Sequence, residues 1–242
     1  NEKLKTFIKK TAVIYGIAIV IYIPINIYKG YFSMDNLLPN IIKDIIFDGT
    51  FYHLWYLPAS IIGAALAWYM VRRLGYSKAL IISALLHIVG LFGDSYFGIA
   101  EQIEVLKQFY SLIFQVYDYT RNGIFFAPIF FVLGGMIADT NVKRSLSING
   151  MAFAGTFALM VVEAMTLHTF NVQRHDSMYI FLPVCMFFLF HLLLYWKERR
   201  FALIRMAALI VYIIHPMMIV IVHFLAKFLG DIIVENSFIN YL

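Results

Sequence analysis

Cysteine is nearly absent from this sequence, and the short motifs that mark many soluble enzymes are missing. The single cysteine, Cys185, lies within an apolar run, so a disulfide framework cannot form within the chain. No HExxH, Gly-x-Ser-x-Gly or phosphate-binding glycine loop occurs, and His168 and His175 lack a third ligand at a standard spacing. These absences predict no metal site and no nucleophile of the soluble-enzyme kind.

Charged residues are also scarce. They make up 14% of the 242 residues, whereas 62% are hydrophobic and the mean hydropathy is +0.80. A bilayer core about 30 Å thick needs about 20 mainly apolar residues per crossing helix, and the backbone must be hydrogen-bonded internally there. The pattern therefore predicts an all-α integral membrane protein, a multi-span helical bundle. Seven spans are predicted, at residues 12–28, 54–71, 79–93, 123–138, 146–165, 178–196 and 201–226. Gly90 and Gly93 near the end of the third span suggest a break there.

The basic residues predict an orientation, because Lys and Arg are retained on the cytoplasmic side of membrane proteins. A cytoplasmic N-terminus places most of them inside: Lys3, Lys5, Lys9, Lys10, Arg72, Arg73, Lys78, Lys143, Arg144, Lys197, Arg199, Arg200 and Arg205. The remaining six would lie outside: Lys29, Lys43, Lys107, Arg121, Arg174 and Lys227. Seven crossings then put residues 231–242 outside. This bias accounts for the net charge of +5, and no nucleic-acid partner is needed to explain it.

The segment between Gly93 and Asn122 is too polar to cross a membrane and too apolar for a free loop. Its apolar residues recur at helical spacing, which predicts an amphipathic helix on the outer face. They are Ile103, Leu106, Phe109, Tyr110, Ile113 and Phe114. Such a helix either covers the bundle as a plain surface element or acts as a lid.

Several ionisable residues fall within or beside the predicted spans, where a charge costs at least ~2.5 kcal/mol and requires a partner or a water-filled cavity. Glu163 is expected to face the bundle interior and to meet Arg121 or a histidine from another helix, as a functional site or as a structural pair. The other candidates are Asp94, His87, His191, His215 and His223.

The stretch HTFNVQRHDSMYIFLP, residues 168–183, places a polar group before the sixth span. Asp176 or Ser177 is expected to cap that helix by accepting hydrogen bonds from its first amides. Arg174 and His175 are expected to line an outer vestibule, or alternatively to be solvated residues at the membrane surface.

Four strings carry a resemblance to a known family. FIKKTAVIYGI, FYHLWYLPASIIG, YTRNGIFFAPIFFVLGGMI and AALIVYIIHPMMIV resemble successive signatures of the membrane acyltransferase family 3. Within it, the chain most resembles the membrane domain of the VanT-type serine racemases of vancomycin-resistant bacteria. The resemblance implies one domain over residues 1–242, part of a ten-span bundle in the bacterial cell membrane and truncated at both ends. It also implies L-serine uptake for a cytoplasmic racemase domain.

The resemblance also implies site residues. The matching positions are His53, Trp55, Arg121, Asn122, Tyr212 and His215. The histidine regarded as the family's catalytic base would lie on an earlier span, so no catalytic residue is assigned. Where many members have Arg-x-x-Arg, this chain has Lys10, Thr11, Ala12 and Val13, which puts an acyl-donor site in doubt.

Two functions are left open. A carrier of L-serine would bind the carboxylate through Arg121 and the ammonium through Glu163 or Asp94. An O-acyltransferase would instead move an acetyl group from cytoplasmic acyl-CoA to an extracytoplasmic hydroxyl. The first requires no cofactor in this chain, with pyridoxal phosphate expected only in the racemase domain. A membrane anchor alone is a third reading, which the polar residues at depth disfavour.

Overall fold

The computed structural model describes residues 2–33, 36–139, 145–195 and 202–229, and within these ranges every regular element is helical. The α-helices are α1 (Glu2–Tyr28), α2 (Leu37–Lys43), α3 (Tyr56–Phe92), α4 (Phe97–Glu101), α5 (Glu104–Val116), α6 (Ala127–Asp139), α7 (Leu146–Thr169), α8 (Phe181–Leu193) and α9 (Ala202–Leu229). A short 3₁₀ turn, Tyr31–Ser33, follows α1, and a π-helical turn, Asp44–Asp48, continues α2.

The described residues group into two compact units. The first contains residues 2–15, 36–139 and 145–195, and the second contains residues 16–33 and 202–229. The first unit therefore holds α2 to α8 and the beginning of α1.

The predicted spans correspond to helices, with two of them joined in α3. α3 has 37 residues and breaks at Gly75, whose φ of 77° and ψ of 169° are non-helical. A positive φ suits glycine because it has no Cβ to clash. Met70 and Ala79, on either side of the break, share one buried cluster with Val132 of α6. The two parts of α3 therefore pack against the same helix, which a straight 37-residue helix could not achieve.

The break expected near Gly90 and Gly93 is found at Gly93 and not at Gly90. Gly90 lies within α3, which runs to Phe92 and has Gly93 as its C-terminal cap. A Cβ on Gly90 would lie 3.0 Å from the Met178 sulfur, so the missing side chain allows close packing at this position.

The predicted fold class, an all-α membrane protein, is confirmed. Four helical segments are long and apolar enough to cross a membrane: Glu2–Tyr28, Tyr56–Phe92, Leu146–Thr169 and Met206–His223. The helices α6 and α8 are apolar but have only 13 residues each. The count of seven spans stays a prediction, and Trp196 and Phe201, at the ends of two predicted spans, lie outside the described residues.

The first unit is held together mainly by α3 packed on α6, α7 on α8, and α6 on α8. Small residues allow α3 and α6 to approach closely: a Cβ on Gly63 would overlap the Cβ of Ala127. In hydrocarbon such close packing drives helix association, because burial of apolar groups gains nothing there.

The predicted amphipathic helix is present as α5, although its buried face is narrower than expected. Tyr110 is buried and its hydroxyl donates to the Val89 carbonyl at 2.7 Å. Leu106, Ile113 and Phe114 are half-buried, whereas Ile103 and Phe109 are exposed. The inward residues follow an i, i+4, i+7, i+8 pattern, as helix geometry requires.

The second unit contains the rest of α1 and the described part of α9. The buried Tyr22 hydroxyl donates to the Ile213 carbonyl at 2.6 Å, which joins the two helices. Pro24 and Pro216 lie inside these helices. Proline at such positions removes an internal hydrogen bond, so neighbouring groups must satisfy the freed carbonyl.

Candidate ligand-binding site

Asp94 follows the end of α3 and is fully buried. Its Oδ1 accepts from the amides of Ser177 at 2.8 Å and Met178 at 3.0 Å, and from the Ser95 hydroxyl at 3.0 Å. Burial raises the pKa of Asp94, while the hydrogen bonds and the nearby Arg121 charge oppose that rise. Among the residues that the structure describes, the buried Oδ2 of Asp94 has no hydrogen-bond partner.

Arg121 lies in the connection between α5 and α6 and contacts Ser177, the residue whose amide Asp94 binds. Its NH1 donates to the Ser177 hydroxyl at 2.9 Å. The guanidinium carbon lies 4.4 Å from the centre of the Tyr119 ring and 5.4 Å from that of Trp55. Its Nε is buried and has no hydrogen-bond partner in the described part of the chain. Asp94 and Arg121 thus each retain one unsatisfied polar atom beside Ser177, and we call these three residues the polar cluster.

Asn122, expected to contact a ligand, uses its side chain to shape the turn before α6. Its Nδ2 donates to the Tyr119 carbonyl at 2.9 Å, and its Oδ1 accepts from the amides of Ile124 and Phe125. This local arrangement fixes the neighbouring Arg121, so Asn122 positions the site whether or not it also touches a ligand.

Glu163 is only 8% exposed, as expected of a group that faces the interior. The expected partner, Arg121 or a histidine from another helix, does not hydrogen-bond to it among the described residues. Its carboxylate accepts from the Tyr96 hydroxyl at 2.6 Å and from the amides of Ile180 at 2.7 Å and Phe181 at 3.1 Å. His87 of α3 interacts with it electrostatically. Free amides at a helix start favour a carboxylate, which explains why no cation is needed.

The expected cap of the sixth span is therefore also wrong. α8 begins at Phe181, and Glu163 from α7 takes the place that Asp176 or Ser177 was expected to fill. Ser177 instead accepts from Arg121, and Asp176 is exposed. Local sequence suggested a local cap, whereas the carboxylate that performs this role is 17 residues away.

Arg174 and His175 lie beside aromatic rings. The Arg174 guanidinium carbon is 3.5 Å from the centre of the Phe114 ring of α5. The His175 ring is 4.6 Å from that of Tyr119, the ring that also supports Arg121. Burial, together with the charges of Arg121 and Arg174, lowers the pKa of His175. Both residues border the polar cluster, and their role as a vestibule stays a prediction.

His53 and Trp55 precede α3. His53 is buried, with its ring in edge contact with Phe51 and Tyr52. Trp55 lies under Arg121 and packs edge-on against Phe126 at 5.5 Å. Trp55 therefore contacts the polar cluster through Arg121 and the apolar interior through Phe126.

Tyr212 and His215 belong to the second unit, whereas the polar cluster lies in the first. The His215 Nδ1 donates to the Val211 carbonyl one turn earlier at 3.0 Å. The Tyr212 and His215 rings are 6.5 Å apart. Their expected part in a ligand site stays a prediction.

A cavity of about 820 Å³ lies between α3, α6 and α8. Trp55 and Ser60 lie among its lining residues, and the rest of the lining is largely apolar and aromatic, including Phe126, Phe130 and Met186. A space of this size and chemistry suits hydrocarbon better than a charged solute.

Sequence reasoning missed a group of carboxylates near the start of the first unit. Asp44, Asp48 and Asp118 have carboxylate oxygens within 4.8 Å of one another. Lys43 forms an ion pair with Asp118 at 2.7 Å, and Asp48 accepts from the amides of Asp118 and Tyr119. The spacing of Asp44 and Asp48 on one helical face was the only signal, since Asp118 is distant in sequence.

The profile of the acyltransferase domain family matches residues 2–242. The chain belongs to this acyltransferase family. An amino-acid racemase of Enterococcus faecalis is 60% identical to the chain over 199 residues, which cover 82% of the chain and 28% of that racemase. A second amino-acid racemase of that organism is 39% identical over 246 residues, which cover 100% of the chain and 34% of the relative.

A serine/alanine racemase of Enterococcus gallinarum is 36% identical over 243 residues, which cover 100% of the chain and 34% of that protein. The chain therefore spans about a third of the length of the curated relatives that it matches. No solved structure matches the chain. The relatives are thus longer proteins with racemase names.

Proposed function

We propose that the chain is the membrane domain of a serine racemase and binds L-serine at the polar cluster, for uptake towards a cytoplasmic racemase domain. The names of the relatives support the racemase association and the choice of amino acid. One observation carries the ligand assignment: Asp94 Oδ2 and Arg121 Nε are buried and lack hydrogen-bond partners among the described residues, while both side chains hydrogen-bond to Ser177 through other atoms. Such atoms cost free energy unless a ligand satisfies them.

A zwitterionic amino acid carries the two charged groups that these atoms would bind. Its carboxylate would be bound by the Arg121 guanidinium, whose planar donor groups match a carboxylate. The rings of Tyr119 and Trp55 contact this guanidinium and keep it in place. Its ammonium would donate to Asp94 Oδ2. Both ion pairs would form in a site shielded from water, where charge-assisted hydrogen bonds are strong.

The basic-residue bias supports the placement of the polar cluster on the outer side of a bacterial cell membrane, with the first residues of the chain inside. The pyridoxal phosphate cofactor would belong to the racemase domain, and this domain would require none of its own.

A second candidate function is O-acyl transfer from acyl-CoA to an extracytoplasmic hydroxyl. The family match and the apolar cavity beside Trp55 favour it, because a hydrocarbon or acetyl group would be accommodated there. An acceptor hydroxyl would then occupy the polar cluster.

Uptake of radiolabelled L-serine by proteoliposomes that contain the complete protein tests the proposal. Saturable uptake is expected, and Asp94→Asn should reduce it at least about tenfold at low serine, because a hydrogen bond to a charged group is worth about 1.5–3 kcal/mol. The asparagine oxygen can still accept from the Ser177 and Met178 amides, so folding should be preserved. Asp176→Asn alters an exposed carboxylate in the same segment and is the matched control. Absence of serine uptake, with transfer of labelled acetyl from acetyl-CoA, would favour the second candidate.

A further inference from the structure

Glu163 is a buried carboxylate on a helix whose neighbouring residues are exposed. Val162 and Met165, on the other faces of α7, are 60% and 66% exposed, against 8% for Glu163. A free charge at this depth in a membrane is costly, so a carboxylate there must be stabilised or protonated.

Hydrogen-bond donors surround the Glu163 carboxylate. Oε1 accepts from the Tyr96 hydroxyl and the Ile180 amide, and Oε2 accepts from the Phe181 amide. No lysine or arginine pairs with it within the described ranges. Protonation of Oε2 would remove the negative charge and weaken the hydrogen bond that Oε2 accepts from the Phe181 amide, which loosens the start of α8.

The other titratable groups around Glu163 come from three elements. His87 of α3 donates from Nε2 to the Tyr179 carbonyl at 3.2 Å, which in a neutral ring leaves Nδ1 as an acceptor. That Nδ1 is buried and lacks a hydrogen-bond partner in the part of the chain described. Tyr96 follows α3, Tyr179 precedes α8, and His168, on α7 itself, is exposed. His87 and Glu163 thus hold three consecutive residues, 179 to 181.

The segment from Ser177 to Phe181 connects this carboxylate to the polar cluster. Asp94 binds the amides of Ser177 and Met178, and Glu163 binds those of Ile180 and Phe181. A change at either carboxylate therefore acts on the same five residues. Coupling between two sites requires such an element, whose position both sites can influence.

We propose that Glu163 is a proton-binding site that is coupled to the polar cluster through residues 177 to 181. A proton from water binds Glu163 Oε2, the start of α8 is released, and the ligand held beside Ser177 moves inward. The proton then leaves Glu163 for the water on the inner side. This proposal rests on the proposed function for its ligand, and it makes uptake a proton-coupled process.

Radiolabelled L-serine uptake by proteoliposomes, with and without an imposed proton gradient that is acidic outside, tests the proposal. A gradient of one pH unit should increase wild-type accumulation by up to about tenfold, since one pH unit corresponds to a tenfold concentration ratio for one coupled proton. For Glu163→Gln, which cannot exchange a proton, the ratio of uptake with the gradient to uptake without it should fall to one. Glu101→Gln, an exposed carboxylate, is the control and should keep the wild-type ratio.

Tyr96→Phe provides a second test, should Glu163→Gln transport nothing. The Tyr96 hydroxyl donates to Glu163 Oε1, so its removal takes away one of the three donors to the carboxylate and should change the pH profile of uptake. A purely structural Glu163 would not move this profile.

The outcomes separate the two proposals. The proton site would be overturned if the gradient does not change serine uptake by the wild type, or if Glu163→Gln retains the wild-type ratio. Either result would leave serine binding intact. An unmoved pH profile in Tyr96→Phe would overturn it as well. A wild-type protein that takes up no serine under either condition would overturn the proposed function itself.

Discussion

Arg121 places one guanidinium between two aromatic rings and a serine hydroxyl, with its Nε free of hydrogen bonds in the described structure. Lysine would keep the charge but lose the planar group of donors that a carboxylate requires. We expect Arg121→Lys to reduce serine uptake at low concentration at least about tenfold, because one charge-assisted hydrogen bond is worth about 1.5–3 kcal/mol. Immunoblotting should show membrane abundance near that of the wild type.

Arg72→Lys is the matched control for this substitution. Arg72 also lies over an aromatic ring, 5.2 Å from the centre of Trp68, but it is exposed and belongs to the opposite end of this part of α3. Its replacement should leave uptake unchanged. Normal uptake in both Arg121→Lys and Arg121→Ala would contradict a role for Arg121 in ligand binding.

The raised pKa of Asp48 predicts how the stability of the protein depends on pH. Burial raises its pKa from 3.8 to about 6, against the opposing effects of two amide hydrogen bonds and Lys43. A folded-state pKa above the unfolded one gives a contribution that is complete below about pH 4 and is lost as the pH rises through about 6. Relative to Asp48→Asn, the wild type should therefore lose about 1–3 kcal/mol of unfolding free energy between pH 4 and pH 7.

Thermal unfolding of purified wild type and Asp48→Asn across this pH range measures that difference. Glu101→Gln serves as the control because Glu101 is exposed. If the stability difference between wild type and Asp48→Asn stays constant from pH 4 to pH 7, the pKa of Asp48 is not raised in the folded protein.

At the scale of helices, the contact between α3 and α6 depends on the absence of a side chain at Gly63. An added Cβ would overlap that of Ala127 and lie 3.3 Å from its carbonyl carbon. We expect Gly63→Ala to separate the helices and to cost about 1–3 kcal/mol, as overpacking does elsewhere. A lower thermal unfolding midpoint would show this.

Gly155→Ala makes the same substitution in α7, where an added Cβ meets nothing within 4 Å. It should be neutral or slightly stabilising, since alanine favours a helix over glycine by about 1 kcal/mol. Equal midpoints for the Gly63 and Gly155 variants would contradict the close contact.

The start of α8 shows which parts of an element a sequence reveals. Hydropathy located the helix to within three residues of Phe181. It did not reveal that Asp94, which follows α3, and Glu163 of α7 accept hydrogen bonds from amides before and at the beginning of α8. Periodicity reports which residues are apolar, whereas a capping group that comes from a distant element leaves no local pattern.

At the scale of the whole molecule, composition and basic-residue bias predict an orientation that labelling can test. Cysteines introduced at Lys107 and Asn171 should react with a membrane-impermeant reagent in intact cells. A cysteine at Ser145 should react only after permeabilisation. Cys185 is buried, so its background labelling should be low. The reverse pattern would overturn the orientation and place the polar cluster on the inner side.

The fold class and most helices could be predicted because burial in hydrocarbon requires long apolar runs, and these are visible in any window of the sequence. The candidate site was only partly predictable. Asp94 and Arg121 stood out as charges beside apolar spans, but Ser177, His87 and Tyr96 acquire their roles only through contacts with distant residues. The joining of two spans at Gly75 was also missed, since a single glycine between basic residues resembles an ordinary loop.

The most direct measurement is an experimental structure of the complete protein in lipid nanodiscs with saturating L-serine. The account predicts density for one serine beside Ser177, with its carboxylate within about 3.2 Å of the Arg121 guanidinium and its ammonium equally close to Asp94 Oδ2. The same density should be missing in Asp94→Asn. An unoccupied polar cluster in the wild type at saturating serine, with Asp94 Oδ2 and Arg121 Nε still without partners, would contradict the account.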